Sequence, residues 1–291
     1  EYYTWLEKHL PPSFFEDADS DSLMFIAHSL MGFDLQDYFS QILFKNRAIV
    51  LCLDKADADL QILKHYRNRG IRNYRTFVSN EPPPFEGIRD YLRVAVIYFT
   101  ELEESRDKHF ELPQKPEQLF REVHQKNPEA TEEEFFQLLQ QMNSRFLRSL
   151  NQERLLLVFD VLFRAKIKDP CQYEIRYNKE WKNKKETPSL QIVLAWRNVP
   201  KHAFLYRLAK VVYRHNLAIK RCAATYINPY SKESILILSL GLHGMEGKAA
   251  WEEANIEDFL QELVTVKYFP GQEIFESTFV DTKLLSGNLA N

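Results

Sequence analysis

The chain has 291 residues, 45% of them hydrophobic, which is enough to bury a core in each of two domains. A formal net charge of −3 provides no global attraction for nucleic acid or an anionic membrane, so neither is expected as a partner. Cys52, Cys171 and Cys222 are scattered without a CxxC pair, and no apolar run reaches the roughly 18 residues of a membrane span, so the expectation is a cytoplasmic protein without thiolate metal sites.

The first residue is Glu1 rather than Met, which points to a piece of a longer protein. Glu1 to Pro12 predicts a short aromatic helix broken by two prolines. A second helix carries Leu23, Ile26, Ala27 and Leu30 at helical spacing, and Asp37 to Phe44 is expected to continue this layer. Ala48 to Leu53 is a short β-rich run and predicts a strand. A helix from Ala56 to Arg69 follows, stopped by Gly70, then strands over Asn73 to Val78 and Tyr91 to Phe99.

Glu101 to His109 is charged and expected to be solvated. Pro116 to Gln125 predicts a helix, and Thr131 with Glu134 forms a capping-box start for a helix with Phe135, Leu138, Met142, Phe146 and Leu150 on its stripe. Asn151 to Ala165 extends that helix or begins another, and is expected to cover the first sheet. Cys171 to Tyr177 alternates as a strand that suits either half.

Leu190 to Trp196 predicts a buried strand, and Pro200 suits the first turn of a helix bearing Phe204, Leu208, Val211, Val212 and His215 on one face. Strands over Ile219 to Ile227 and Ser234 to Leu240 flank a turn at Asn228 to Ser231. Ala249 to Val266 predicts a closing helix and Glu273 to Val280 a final strand. The order strand, helix, strand, strand therefore occurs twice, with first strands near Ala48 and Leu190 and third strands near Tyr91 and Ser234.

Motifs for chemistry are sparse. The cluster Gly241, Gly244 and Gly247 fits neither a Rossmann turn nor a phosphate loop. His202 and His215 are thirteen residues apart on one predicted helix, too far to share a metal, and the glutamate runs at 101–104 and 132–134 read as solvated helix ends. The basic and aromatic stretch Lys179 to Lys185 reads as a solvated loop, because the strand Ser234 to Leu240 lacks the aromatics that stack RNA bases. No catalytic residue and no metal ligand is assigned. The strand-to-helix junctions remain: Asn198, Val199 and Lys201 at one, Asp54 and Asp57 at the other, where helix-start amides and polar side chains suit the carboxylate of a small effector or ordinary capping.

The repeated unit resembles an ACT domain, the ferredoxin-like module with which metabolic enzymes sense amino acids. Pro11-Pro12-Ser13-Phe14-Phe15 with Asp21 to Leu30, and Pro200 to Leu208, are similar to the N-terminal regulatory region of the large NAD-specific glutamate dehydrogenases. That resemblance implies an α+β fold of two ACT-like βαββ modules, residues 1–110 and 169–291, around a helical connection at 111–168. It implies a non-catalytic regulatory and assembly role, homo-oligomeric partner subunits and an amino-acid effector. NAD and glutamate deamination would belong to the parent enzyme, and this chain would need no cofactor. The alternative is a stand-alone ACT-type amino-acid sensor.

Overall fold

The computed structural model describes residues 1–18, 20–31, 40–43, 46–99, 112, 114–178, 188–200, 202–228 and 232–268. The fold is α+β. Among the described residues, eight strands form one antiparallel sheet: β1 (Ser40–Leu43), β2 (Arg47–Leu53), β3 (Asn73–Val78), β4 (Leu92–Tyr98), β5 (Gln172–Asn178), β6 (Ser189–Arg197), β7 (Leu217–Ile227) and β8 (Ile235–Gly244). Their order is β1-β2-β4-β3-β7-β8-β6-β5.

That order contains the doubled unit. With α4 (Ala58–His65) after β2 and α9 (Phe204–Arg214) after β6, each half is a strand, helix, strand, strand unit in which the first strand pairs with the third and the third with the second. Each half also gains an outer strand from the residues just before it, β1 beside β2 and β5 beside β6. The strand at Cys171 to Tyr177 therefore joins the second half. The halves meet at β3 and β7, antiparallel, through Asn73↔Thr225, Tyr74↔Ala224 and Arg75↔Ala223. Side chains extend this seam: the Cys222 amide donates to Thr76 Oγ1 at 3.0 Å.

Both faces of the sheet are covered, which explains why β2 and β8 are nearly continuous apolar runs rather than alternating ones. One face carries α4, α9, α10 (Ala250–Glu253) and α11 (Ile256–Thr265) over a core common to both halves, including Tyr74, Trp196, Phe204 and Leu238. Burying each such side chain contributes about 1.5–3 kcal/mol. The opposite face is covered in two separate blocks. Helices α1 (Tyr2–His9), α2 (Pro12–Asp17) and α3 (Ser20–Met31) pack through Leu6, Phe14 and Ile26 on Ile49, Leu51, Phe77 and Val94. Helices α5 (Pro116–Lys126), α6 (Glu132–Gln141), α7 (Ser144–Arg148) and α8 (Gln152–Ile167) pack through Phe135, Phe159 and Leu162 on Val193, Ala195 and Ile237.

Several expectations are corrected. Within Asp37 to Phe44, Ser40–Leu43 is strand β1 rather than part of a helical layer, because it satisfies the backbone edge of β2 from Ser40↔Leu51 to Leu43↔Ala48. The Asn151 to Ala165 helix covers the second half, not the first, whose equivalent face is already occupied by α1 to α3. The stripe from Phe135 to Leu150 is not one helix: α6 stops at Met142, and Asn143 caps α7 by accepting from the Arg145 and Phe146 amides. Pro200 lies outside α9, which begins behind Ala203 at φ 61° while the Pro200 carbonyl accepts from the Tyr226 hydroxyl at 3.1 Å. The closing helix is divided at Asn255, which caps α11. The expectations for Glu101 to His109, Lys179 to Lys185, Pro229 to Ser231 and Glu273 to Val280 lie outside the described residues.

Candidate functional site: a cleft over the seam

The two helical blocks leave the seam uncovered between them. Over it lies a cleft of ≈ 1140 Å³ whose floor comes from β3 of the first half and from β7 and β8 of the second. Small residues lower that floor: Ala223, Ser239 and Gly241 stand where larger side chains would fill the space. Its walls are the α1–α2 corner, with Lys8 and Ser13, and the α7–α8 junction, with Ser149 capping the end of α7 and Arg154 in the first turn of α8. At the other end of the seam the space closes to ≈ 40 Å³ among Phe14, Phe77, Arg145 and Phe146.

A bulge in β7 decides what faces the cleft. The register jumps from Ile219↔Leu242 to Arg221↔Gly241, so one extra residue is accommodated. Ile219 packs against the core beneath α4 and α9, as does Cys222, while Lys220 and Arg221 both line the cleft.

The bulge is held from the first half. Arg93 of β4, fully buried, donates from Nη2 to the Ile219 carbonyl at 2.8 Å and from Nη1 to the Lys220 carbonyl at 3.5 Å. Its charge is matched by Asp59 of α4 and by Asp54 at 3.0 Å, and the Tyr74 hydroxyl donates to the other Asp59 oxygen. Burial alone would weaken the Arg93 charge, but Asp59 and Asp54 outweigh it and hold the guanidinium protonated. Burial, and then the Asp59 charge, push the Tyr74 hydroxyl well above its ordinary range. Burial also raises the Asp54 carboxyl, a shift that Arg93 opposes and Asp59 reinforces.

The residues singled out at the junctions are not brought together. Asp54 reaches the edge of the cleft with its side chain 23% exposed. Asp57 stands at the start of α4, where its carboxylate accepts from Gln61 Nε2 at 3.2 Å and caps no helical amide. Asn198 lies at the opposite end of the sheet, beyond the Arg197↔Ile235 pair, in a left-handed conformation at φ 53° with its amide on the Ser234 carbonyl at 2.8 Å. Val199 is buried in the common core, and Lys201 lies outside the described residues.

Reactive groups are few. All three thiols are buried, and burial pushes the Cys52 thiol up to about 12 and holds those of Cys171 and Cys222 well above the ordinary thiol range. Such thiols stay protonated and are poor nucleophiles. Among the described residues, no three His, Cys, Asp or Glu side chains are grouped to hold a metal ion, and no helix is long and apolar enough to cross a membrane.

Sequence reading missed Arg93, Asp59, Arg154 and Arg221. A single arginine inside the apolar run Leu92–Tyr98 was a usable signal, since an arginine at that depth requires a charged partner. Nothing local marks Arg154 or Arg221, which belong to different elements and meet only through the fold. Compared with known proteins, the chain matches no family model and no curated sequence.

Proposed function

We propose that each half is a ferredoxin-like, ACT-like module and that the chain is the regulatory and assembly region of a large NAD-specific glutamate dehydrogenase of the cytoplasm. The observation that carries this reading is the doubled unit. Both halves order their strands first, third, second around one crossover helix, the split arrangement of ferredoxin-like modules. They depart from a complete module at the outer edge, which is filled by the strand before the unit, β1 or β5.

Joining two such units edge to edge creates a cleft that neither has alone. A ligand touching β3 on one side and β7 and β8 on the other interacts differently with different settings of the halves, and a differential affinity of that kind is what regulation requires. In this reading the chain binds a small effector, contacts other subunits of the same enzyme and carries no cofactor. NAD binding and oxidative deamination of glutamate belong to the remainder of the parent enzyme.

Titration calorimetry of the chain with a panel of amino acids tests the sensor role. Saturable heat at one site per chain is expected for at least one of them, and no heat with any would remove the effector from the reading. Reading the complete coding frame tests the parent. A following region with a glycine-rich lysine segment and a Rossmann turn is expected, and a frame that stops at Asn291 would leave a stand-alone sensor.

A further inference from the structure

We infer that the seam cleft is built for a small, multiply charged anion, held between Arg154 of α8 and Arg221 of β7. This rests on the reading above that the cleft is the ligand site, and it names the ligand's chemical class.

Three observations converge. First, among the described residues the guanidinium groups of Arg154 and Arg221 have no hydrogen-bond or ion-pair partner, although Arg154 is half buried. Burial, and then repulsion from Arg221, weaken the Arg154 charge, and nearby Glu153 is turned instead to Arg176 at 3.7 Å. Second, Arg154 stands in the first turn of a 16-residue helix, where the helix dipole already disfavours a cation. Third, Ser239 on the cleft floor is 7% exposed, and among the described residues its hydroxyl has no hydrogen-bond partner, so it can donate into the cleft.

A half-buried guanidinium facing a like charge is an unfavourable arrangement without an anion, and arginine is the side chain suited to planar carboxylates and to phosphates. The bulge anchored by Arg93 fixes Arg221 on the cleft side, so the second charge is positioned rather than incidental. A volume of ≈ 1140 Å³ admits a molecule well beyond a bare ion. Phosphate-bearing and polycarboxylate ligands share this chemistry.

The test is titration calorimetry of the full chain with pyrophosphate and, separately, with citrate, at low and high salt. Saturable binding of at least one is expected, weakening as salt rises. Preference for pyrophosphate marks a phosphate ligand and preference for citrate a carboxylate one. Arg221→Ala, at an exposed position, should weaken binding on the order of 10- to 100-fold with the melting temperature unchanged. Arg221→Glu should abolish binding while leaving the melting temperature equal or higher, because it relieves the repulsion. The inference is overturned if neither anion binds, or if both bind equally well to Arg221→Glu. Should a neutral amino acid bind while both anions fail, the sensor reading survives and this ligand class does not. Should nothing bind, both fall.

Discussion

The two halves share a strand order and differ in what they bury at the contact between sheet and crossover helix. The first half places a charged cluster there, Arg93 with Asp59 and Tyr74. The second uses Leu236, Leu238 and Leu240 of β8 against Phe204, Leu208 and Val211. Its own buried acid, Glu262 of α11, lies at the periphery, paired with Arg214 and with His215 at 2.6 Å. One topology therefore tolerates either solution. The charged one has a use the aliphatic one lacks: Arg93 reaches across the seam to the carbonyls of the β7 bulge, so the first half shapes the cleft surface of the second.

The largest expected effect comes from dividing the charged cluster. Asp59→Ala leaves a buried arginine short of its main partner and should cost about 3–5 kcal/mol in denaturant unfolding. Replacing Arg93, Asp59 and Tyr74 together by Leu, Leu and Phe should cost much less, since it removes the charges as a set. If the triple variant is as unstable as Asp59→Ala, the cluster is needed for more than mutual compensation. In the second half, Leu238→Ala should cost about 2–5 kcal/mol by opening a cavity. Urea midpoints for these variants place the two solutions on one scale.

The halves should also respond to acid with opposite sign. Burial disfavours the charged form of Glu262, but the His215 hydrogen bond and the Arg214 charge prevail and hold its carboxyl below the usual range. Its contribution is therefore complete above the unfolded carboxylate range and is lost as pH falls through the depressed value. Asp54 is raised, so its ionised form opposes folding at neutral pH and its contribution improves as pH falls. Glu262→Gln should flatten the acid limb of a stability-versus-pH curve, and Asp54→Asn should steepen it. Matching slopes for the two variants would contradict the assigned directions. The smallest effect belongs to the helical block. Thr131→Ala removes the capping box at the start of α6 and should cost about 1 kcal/mol, measured as a shift in urea midpoint.

Much of this architecture was legible in the residues. Runs such as Ala48 to Leu53 and Leu190 to Trp196 are too β-rich and too short for helices, and the strict Thr131 to Glu134 spacing marked a helix start that the structure reproduces. The four-residue β1 was not legible, because its strand character comes from the edge of β2 rather than from its own composition. The helical block over the second half was assigned to the first because amphipathicity says that a face is buried, not against what. The cleft was invisible for the same reason. Nothing in the sequence around Arg154 or Arg221 sets either apart; a bulge and a helix start bring them to one opening.

The central claim is that the halves act as one unit through the β3–β7 seam and the cleft above it. Native-state hydrogen exchange, with and without saturating pyrophosphate, tests it most directly. The account predicts that amides of β4 and β8 open with the same free energy and that both gain protection when the anion binds. Exchange of β4 at lower denaturant than β8, or protection confined to one half, would contradict it.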